Sequence, residues 1–403
     1  MNDAGLRRAV LRAARPGAAA EAPIPLHRPD LGAAEEAAAT RVLRSGWVSQ
    51  GPETEAFERE FAAFTGAAHA VAVSSGTAAL ELALQALGIG PGDEVVTVSH
   101  TFVATANAIR NVGARPVFID IERATLNLDH ARIEAALSPA TRAILAVHQL
   151  GMPCDLAAIA AIARARGVAL IEDAACAAGS EIFRRGRWER IGQPHGDLAC
   201  FSFHGRKPIT TGEGGMVTAS RADLAEAVRA LSDHGVSSRA HRRHAAQGTA
   251  RESYAAPGSN RRLSDIQAAI GRAQLARLPE FVVRRRALAA RYRCALAGSR
   301  HAVLPAEPAW ARSNWQSYCV RLADGIDRDR VMERLAARGI ATRPGVMCAH
   351  LEPAWPAGSW RAAGPLGESE AASARGLLLP LFPSLTDAQQ DRVIAALAEA
   401  CGP

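Results

Sequence analysis

Lysine is almost missing from this chain: among 47 basic residues in 403, Lys207 alone is a lysine and the others are arginines. Guanidinium stays charged at any relevant pH, whereas an amine whose pKa is lowered by burial can lose its proton, attack a carbonyl and form a Schiff base. The solitary amine is therefore the first residue to explain. Because Pro208 follows it, no G-K-[ST] nucleotide loop exists, and the glycines at 88, 90 and 92 are interrupted by Pro91 and open no G-x-G-x-x-G helix. The seven cysteines form no C-x-x-C pair and are odd in number, which fits reduced thiols better than a disulfide framework. No apolar run approaches the roughly 18 residues of a membrane span. A soluble, cytoplasmic protein without membrane or nucleic-acid partners is expected. The net charge of +7 is spread along the chain, and its one local run, Arg284 to Arg286, reads as the solvated face of a long helix. His241 and His244 have helix-face spacing but lack a third ligand, so no metal site is expected.

A chain of this length exceeds one core, so a large and a small domain are expected. The alanine- and arginine-rich residues 1–23 read as a weakly ordered tail, 24–285 as the large domain and 286–403 as the small one. Apolar runs at A-H-A-V-A-V, D-E-V-V-T-V, R-P-V-F-I, R-A-I-L-A-V and V-A-L-I-E-D alternate with helical patterns, as in a mostly parallel sheet between helices.

Four stretches carry candidate chemistry. A strand turning through Ser74, Ser75, Gly76 and Thr77 into a helix presents free backbone N–H groups and a dipole end, which is a phosphate seat or simply a helix cap. Phe102 lies just past the next strand, either as a core ring or stacked on a flat ligand. Asp173 closes an apolar strand, where a carboxylate is a metal ligand, a helix cap or the partner of a cationic ring nitrogen. The last stretch, F-S-F-H-G-R-K-P-I-T-T-G-E-G-G, surrounds Lys207, with Gly212, Gly214 and Gly215 leaving backbone open to a ligand.

The segment S-F-H-x-x-K-x-I-T-T-G-E-G-G resembles the cofactor-lysine segment of the DegT/DnrJ/EryC1/StrS family of pyridoxal-phosphate-dependent sugar aminotransferases. E-D-A-A, S-G-T, S-G-W-x-x-x-G-P and G-S-N-R-R-L-S-D-I-Q-A-A-I-G resemble further family segments, and the resemblance runs from about Ile24 to Ala398. It implies an α/β fold-type-I architecture, pyridoxal 5'-phosphate as cofactor and catalysis by Lys207 and Asp173. Gly76, Thr77, Phe102, Asp173, Ser202, Lys207 and Asn260 become cofactor-binding positions, with Asn260 reaching the neighbouring subunit of a homodimer that shares its active sites. Trp47, as a substrate stacker or a staple between helix and sheet, joins Arg206, Arg343 and His350 on the substrate side. Amino donor and keto sugar are the implied small-molecule partners. Cys176, Gln149 and Leu150 depart from the family's usual residues.

Overall fold

In the computed structural model, residues 22–236 and 253–402 are described. The tail's residues 1–21 and His241, His244 and the basic stretch from Arg239 to Arg251 lie outside them. Helices α1 (Ala33–Ser45) and α2 (Pro52–Thr65) open the fold. Their sequence break is visible: Gly46 takes a left-handed φ of 77° that ends α1, and Pro52 starts α2, where no backbone donor is needed. Phe57 and Phe61, one helical turn apart, are fully buried against Phe203 and Phe201.

The main sheet alternates with helices: β1 (His69–Val73), α3 (Gly76–Ala86), β2 (Glu94–Val98), α4 (Val103–Asn111), β3 (Arg115–Ile119), β4 (Thr141–Val147), α5 (Leu156–Arg166) and β5 (Ala169–Asp173). A hairpin of β6 (Glu181–Arg184) and β7 (Arg187–Arg190) precedes β8 (Leu198–Ser202), β9 (Gly215–Ala219) and α6 (Ala222–Ser232). The eight-stranded sheet runs β1-β9-β8-β5-β4-β2-β3-β14, and all its pairings are parallel except the two made by β9. The near-continuous apolar runs follow from burial on both faces. The parallel strands therefore end along one edge, where a doubly covered sheet binds its ligands.

Helix α7 (Asp265–Ala295) then joins the two cores. Leu275, Leu278, Phe281 and Val282 pack into the large cluster around the main sheet, while Leu288, Ala289 and Tyr292 pack into a second cluster. The change of core along this helix falls between Val282 and Leu288. The second cluster surrounds β10 (Ala302–Val303), β12 (Tyr318–Leu322), β13 (Arg343–Pro344) and β15 (Gly376–Leu379), with α8 (Arg328–Ala336) and α9 (Asp387–Ala400) against them. Two excursions cross the division. Strand β11 (Ala311–Arg312) extends the β6–β7 hairpin, and β14 (Arg361–Ala362) pairs with β3 as the last strand of the main sheet. Ile24 belongs to the second cluster as well, through its bridge to Ile340.

One expectation fails in this helix. Arg284 and Arg286 face outward, but Arg285 is 1% exposed, because three consecutive helical residues sweep about 200° and cannot share a face. Its guanidinium ends among the carbonyls of Trp315, Gln316 and Leu381, at 3.2–3.3 Å.

Candidate active site

Three chain segments leave the carboxyl edge of the main sheet side by side. After β1, Ser75 caps α3: its hydroxyl accepts from the Ala78 N–H at 3.1 Å, and Gly76 and Thr77, as the first helical residues, have no acceptor four residues back. The same cap thus leaves N–H groups at the helix start that could receive a phosphate. A Cβ on Gly76 would stand 2.7 Å from the Ser202 Cβ, so only glycine lets this turn lie against the end of β8. Gly214 and Gly215 are explained differently from the expectation that they admit a ligand. Both are buried; a Cβ on Gly214 would meet the Thr211 hydroxyl at 2.4 Å, and one on Gly215 the Ser75 carbonyl at 2.4 Å. They make room for the chain's own turns. Gly212 is exposed with φ 81° and serves the turn.

Asp173 ends β5 and is 5% exposed. Its Oδ1 accepts from the Ala175 N–H at 3.1 Å, and its Oδ2 from the Thr105 hydroxyl at 2.7 Å. Thr105 in turn pairs with Thr101 at 2.8 Å, and between these two threonines stands Phe102, 65% exposed at the start of α4. A large ring so exposed is not a core residue, and its face is open to a flat ligand. The opposite side chain of the same strand, Glu172, is fully buried and bonded to the His148 ring and the His195 N–H. Those bonds outweigh desolvation and hold its carboxyl below the ordinary range, so the strand end is braced from behind.

Lys207 follows β8 in a turn closed by its N–H to the His204 carbonyl at 2.9 Å. Its Nζ lies 3.1 Å from the Cys176 Sγ. Beside it, burial and then the charge of nearby Arg343 lower the pKa of Arg206. Neither arginine has a carboxylate partner among the described residues.

The Trp47 indole donates to the Gln50 carbonyl at 3.2 Å and lies on Gly51, within the loop between α1 and α2. His350 has its Nδ1 2.5 Å from the Ser99 hydroxyl, just past β2, and its Nε2 3.3 Å from Glu370. Asn260 is exposed, its Oδ1 accepting from Arg262, next to the Arg261 carbonyl that binds the Ser74 N–H of the phosphate turn. Gln149 and Leu150 shape the backbone: Gln149 bonds to the His100 carbonyl and Leu150 takes φ 57°. Thr105, Cys176 as the amine's contact, His27 and Gln316 were not marked by sequence reasoning. Only Thr101 and Thr105, four apart across the start of α4, left a local signal.

These residues fit pyridoxal phosphate. The Gly76 cradle offers N–H groups to a phosphate, Phe102 a stacking face, Asp173 a carboxylate for a ring nitrogen, and Lys207 an amine for an aldehyde.

A family model described as the DegT/DnrJ/EryC1/StrS aminotransferase family matches residues 29–398. The chain is 38% identical to the aminotransferase TlmJ from Streptoalloteichus hindustanus, covering 94% of this chain and 98% of that one at a TM-score of 0.85. It is 38% identical to DesV from S. venezuelae, covering 95% and 99% at a TM-score of 0.84. A putative sugar aminotransferase from Streptococcus pneumoniae, in its PLP form, is 28% identical over 94% and 98% at a TM-score of 0.85.

Proposed function

Since the chain belongs to the DegT/DnrJ/EryC1/StrS aminotransferase family and is a pyridoxal-phosphate-dependent sugar aminotransferase of fold type I, we propose that it moves an amino group from glutamate, or a similar donor, to a keto sugar carried on a nucleotide. The observation that carries the nucleotide is the pair Arg206 and Arg343. Two neighbouring guanidiniums without a carboxylate partner among the described residues, one of them partly buried, stand beside the lysine turn and suit a diphosphate.

In this reading Lys207 is the covalent attachment point and Asp173 keeps a proton on the ring nitrogen. Phe102 would offer its exposed ring to the cofactor, and Gly76, Thr77 and Ser202 would hold the phosphate. When bound, pyridoxal phosphate supplies the electron-withdrawing ring that lets an amino acid lose its α-proton. With that group in place, the Lys207 amine would be the base that takes that proton and the acid that returns it. Donor keto acid leaves before keto sugar enters, so the kinetics are ping-pong. Asn260 completes the phosphate site of a second copy in a cytoplasmic homodimer, and Trp47 and His350 line the substrate entrance.

A nucleoside diphosphate should inhibit amination competitively against the sugar, and less so as salt rises. Efficient amination of a free keto cyclitol with no nucleoside-diphosphate inhibition would replace the nucleotide sugar with a cyclitol substrate.

A further inference from the structure

The amine of Lys207 and the thiol it touches are both suspended from one short loop of the small-domain core. That loop, Asn314–Trp315–Gln316, lies between β11 and β12. The Gln316 Nε2 donates to the Arg206 carbonyl at 2.9 Å, and this carbonyl is one half of the peptide bond that begins Lys207. The Asn314 Nδ2 donates to the carbonyls of Cys176 and Ala178, both at 2.8 Å, while its Oδ1 accepts from the Gln316 N–H at 2.8 Å. Arg206 and Cys176 belong to different connections of the main sheet, and the loop fixes both from outside.

The loop is itself rigid. Trp315 takes φ 52°, and the buried Arg285 donates to the carbonyls of Trp315 and Gln316. Asn314 fits only because Gly151 lacks a side chain, since a Cβ there would stand 2.0 Å from Asn314 Oδ1. A second clamp of the same origin lies next door, where His27, three residues after the Ile24 bridge to Ile340, bonds through Nε2 to the Gly205 carbonyl at 2.7 Å. Nothing in the turn between β8 and β9 requires these partners; a hairpin turn closes on its own backbone bonds. What they add is a fixed direction for the two peptides in front of Lys207.

We propose that the Asn314–Gln316 loop sets where the Lys207 amine stands, with Gln316 as a positioning residue for it and Arg285 as the pin that holds the loop. Docking of the small-domain core is thereby coupled to the reach of the lysine. The proposal rests on Lys207 as the attachment point, but its test reads the amine directly.

ortho-Phthalaldehyde joins a primary amine and a thiol in contact into a fluorescent isoindole, releasing two waters. With one lysine in the chain, a Lys207–Cys176 product is unambiguous by peptide mass mapping. In the full-length protein without pyridoxal phosphate, this isoindole should form readily. In Gln316→Met, of similar size but without the donor, it should form roughly three- to tenfold more slowly, the size of one lost neutral hydrogen bond. Attachment of pyridoxal phosphate, followed by absorbance, should slow by the same factor at an unchanged melting temperature. Gln316→His, which restores a ring N–H at that reach, should recover both rates. If the Met variant does not fold, Gln316→Glu removes the donor with the shape kept. Equal isoindole rates in folded wild type and donorless variant, or no Lys207–Cys176 product in wild type, would overturn the proposal. A product undiminished by pyridoxal phosphate would instead sink the reading of Lys207 and leave the loop's role standing.

Discussion

Replacing Asp173 with asparagine changes one oxygen for one NH2 in a site where every neighbour is known. The Oδ1 can still accept from the Ala175 N–H, so the strand end keeps its turn. At Oδ2 the amide now meets the Thr105 hydroxyl, which must reverse its bond and accept, weakening its pairing with Thr101. The larger loss is functional. A neutral amide cannot hold a proton on a pyridine nitrogen as a carboxylate does, and one buried charge-assisted hydrogen bond contributes about 1.5–3 kcal/mol. At about 1.36 kcal/mol per factor of ten, the donor half-reaction should slow roughly ten- to two-hundredfold. Occupancy should hardly change, because the lysine and the phosphate cradle are untouched. Stopped-flow bleaching of the yellow form by donor alone, beside an equilibrium titration of pyridoxal phosphate, separates the two quantities. A variant within twofold of wild type in that half-reaction would refute the role given to Asp173 and leave it a carboxylate that only closes the turn after β5.

Lys207→Arg should lose covalent attachment although charge is kept, and borohydride reduction with peptide mapping should find no replacement site, since no other lysine exists. Subunits carrying Lys207→Ala, mixed with subunits carrying Asn260→Ala, should regain activity in hybrid dimers if the site is shared; a mixture as inactive as its parts argues for self-contained sites. Acid should destabilise the fold through two histidines. Burial holds His27 and His100 at about 4, against 6.5 in the open chain, so the unfolded state binds more protons between those values. Their contribution is complete above pH 6.5 and is lost as pH falls towards 4, and His100→Asn should flatten the pH dependence of the urea midpoint in that window. Identical slopes in variant and wild type would contradict the assignment.

The residues that were readable from sequence are those whose chemistry is compressed into a few consecutive positions at a strand end. Lys207 with its flanking turn, Asp173 closing an apolar run, and Ser75 to Thr77 between strand and helix all have that form. Burial of one strand and exposure of the next turn leave a local trace in hydropathy. Gln316 has no such trace, because its partner carbonyl is 110 residues away and belongs to the backbone of Arg206, whose identity is irrelevant to the bond. Cys176 was visible only as an unusual residue; that its sulfur faces the amine depends on how two sheet connections are stacked. Arg285 was hidden by its neighbours, since a run of three arginines looks uniform until the helical period separates them. The glycines of the lysine segment were noticed for the right property and given the wrong beneficiary, because a missing Cβ does not say whether a ligand or another turn of chain takes the space.

Strand β9 runs against all its neighbours, and Ser202 and Gly215 are register partners across the β8–β9 ladder. The segment carrying Lys207 is therefore a closed ring, tied off by a hydrogen-bonded ladder at its base, rather than a bridge between distant elements. A ring of that kind cannot take up an inserted residue by sliding, because a slip of one position would turn the buried faces of both strands inside out. Any change in its circumference must emerge at the crown, where the amine is. For anyone redesigning this scaffold, substitution within the crown is open, but lengthening or shortening it trades directly against the reach of the one lysine amine the chain possesses.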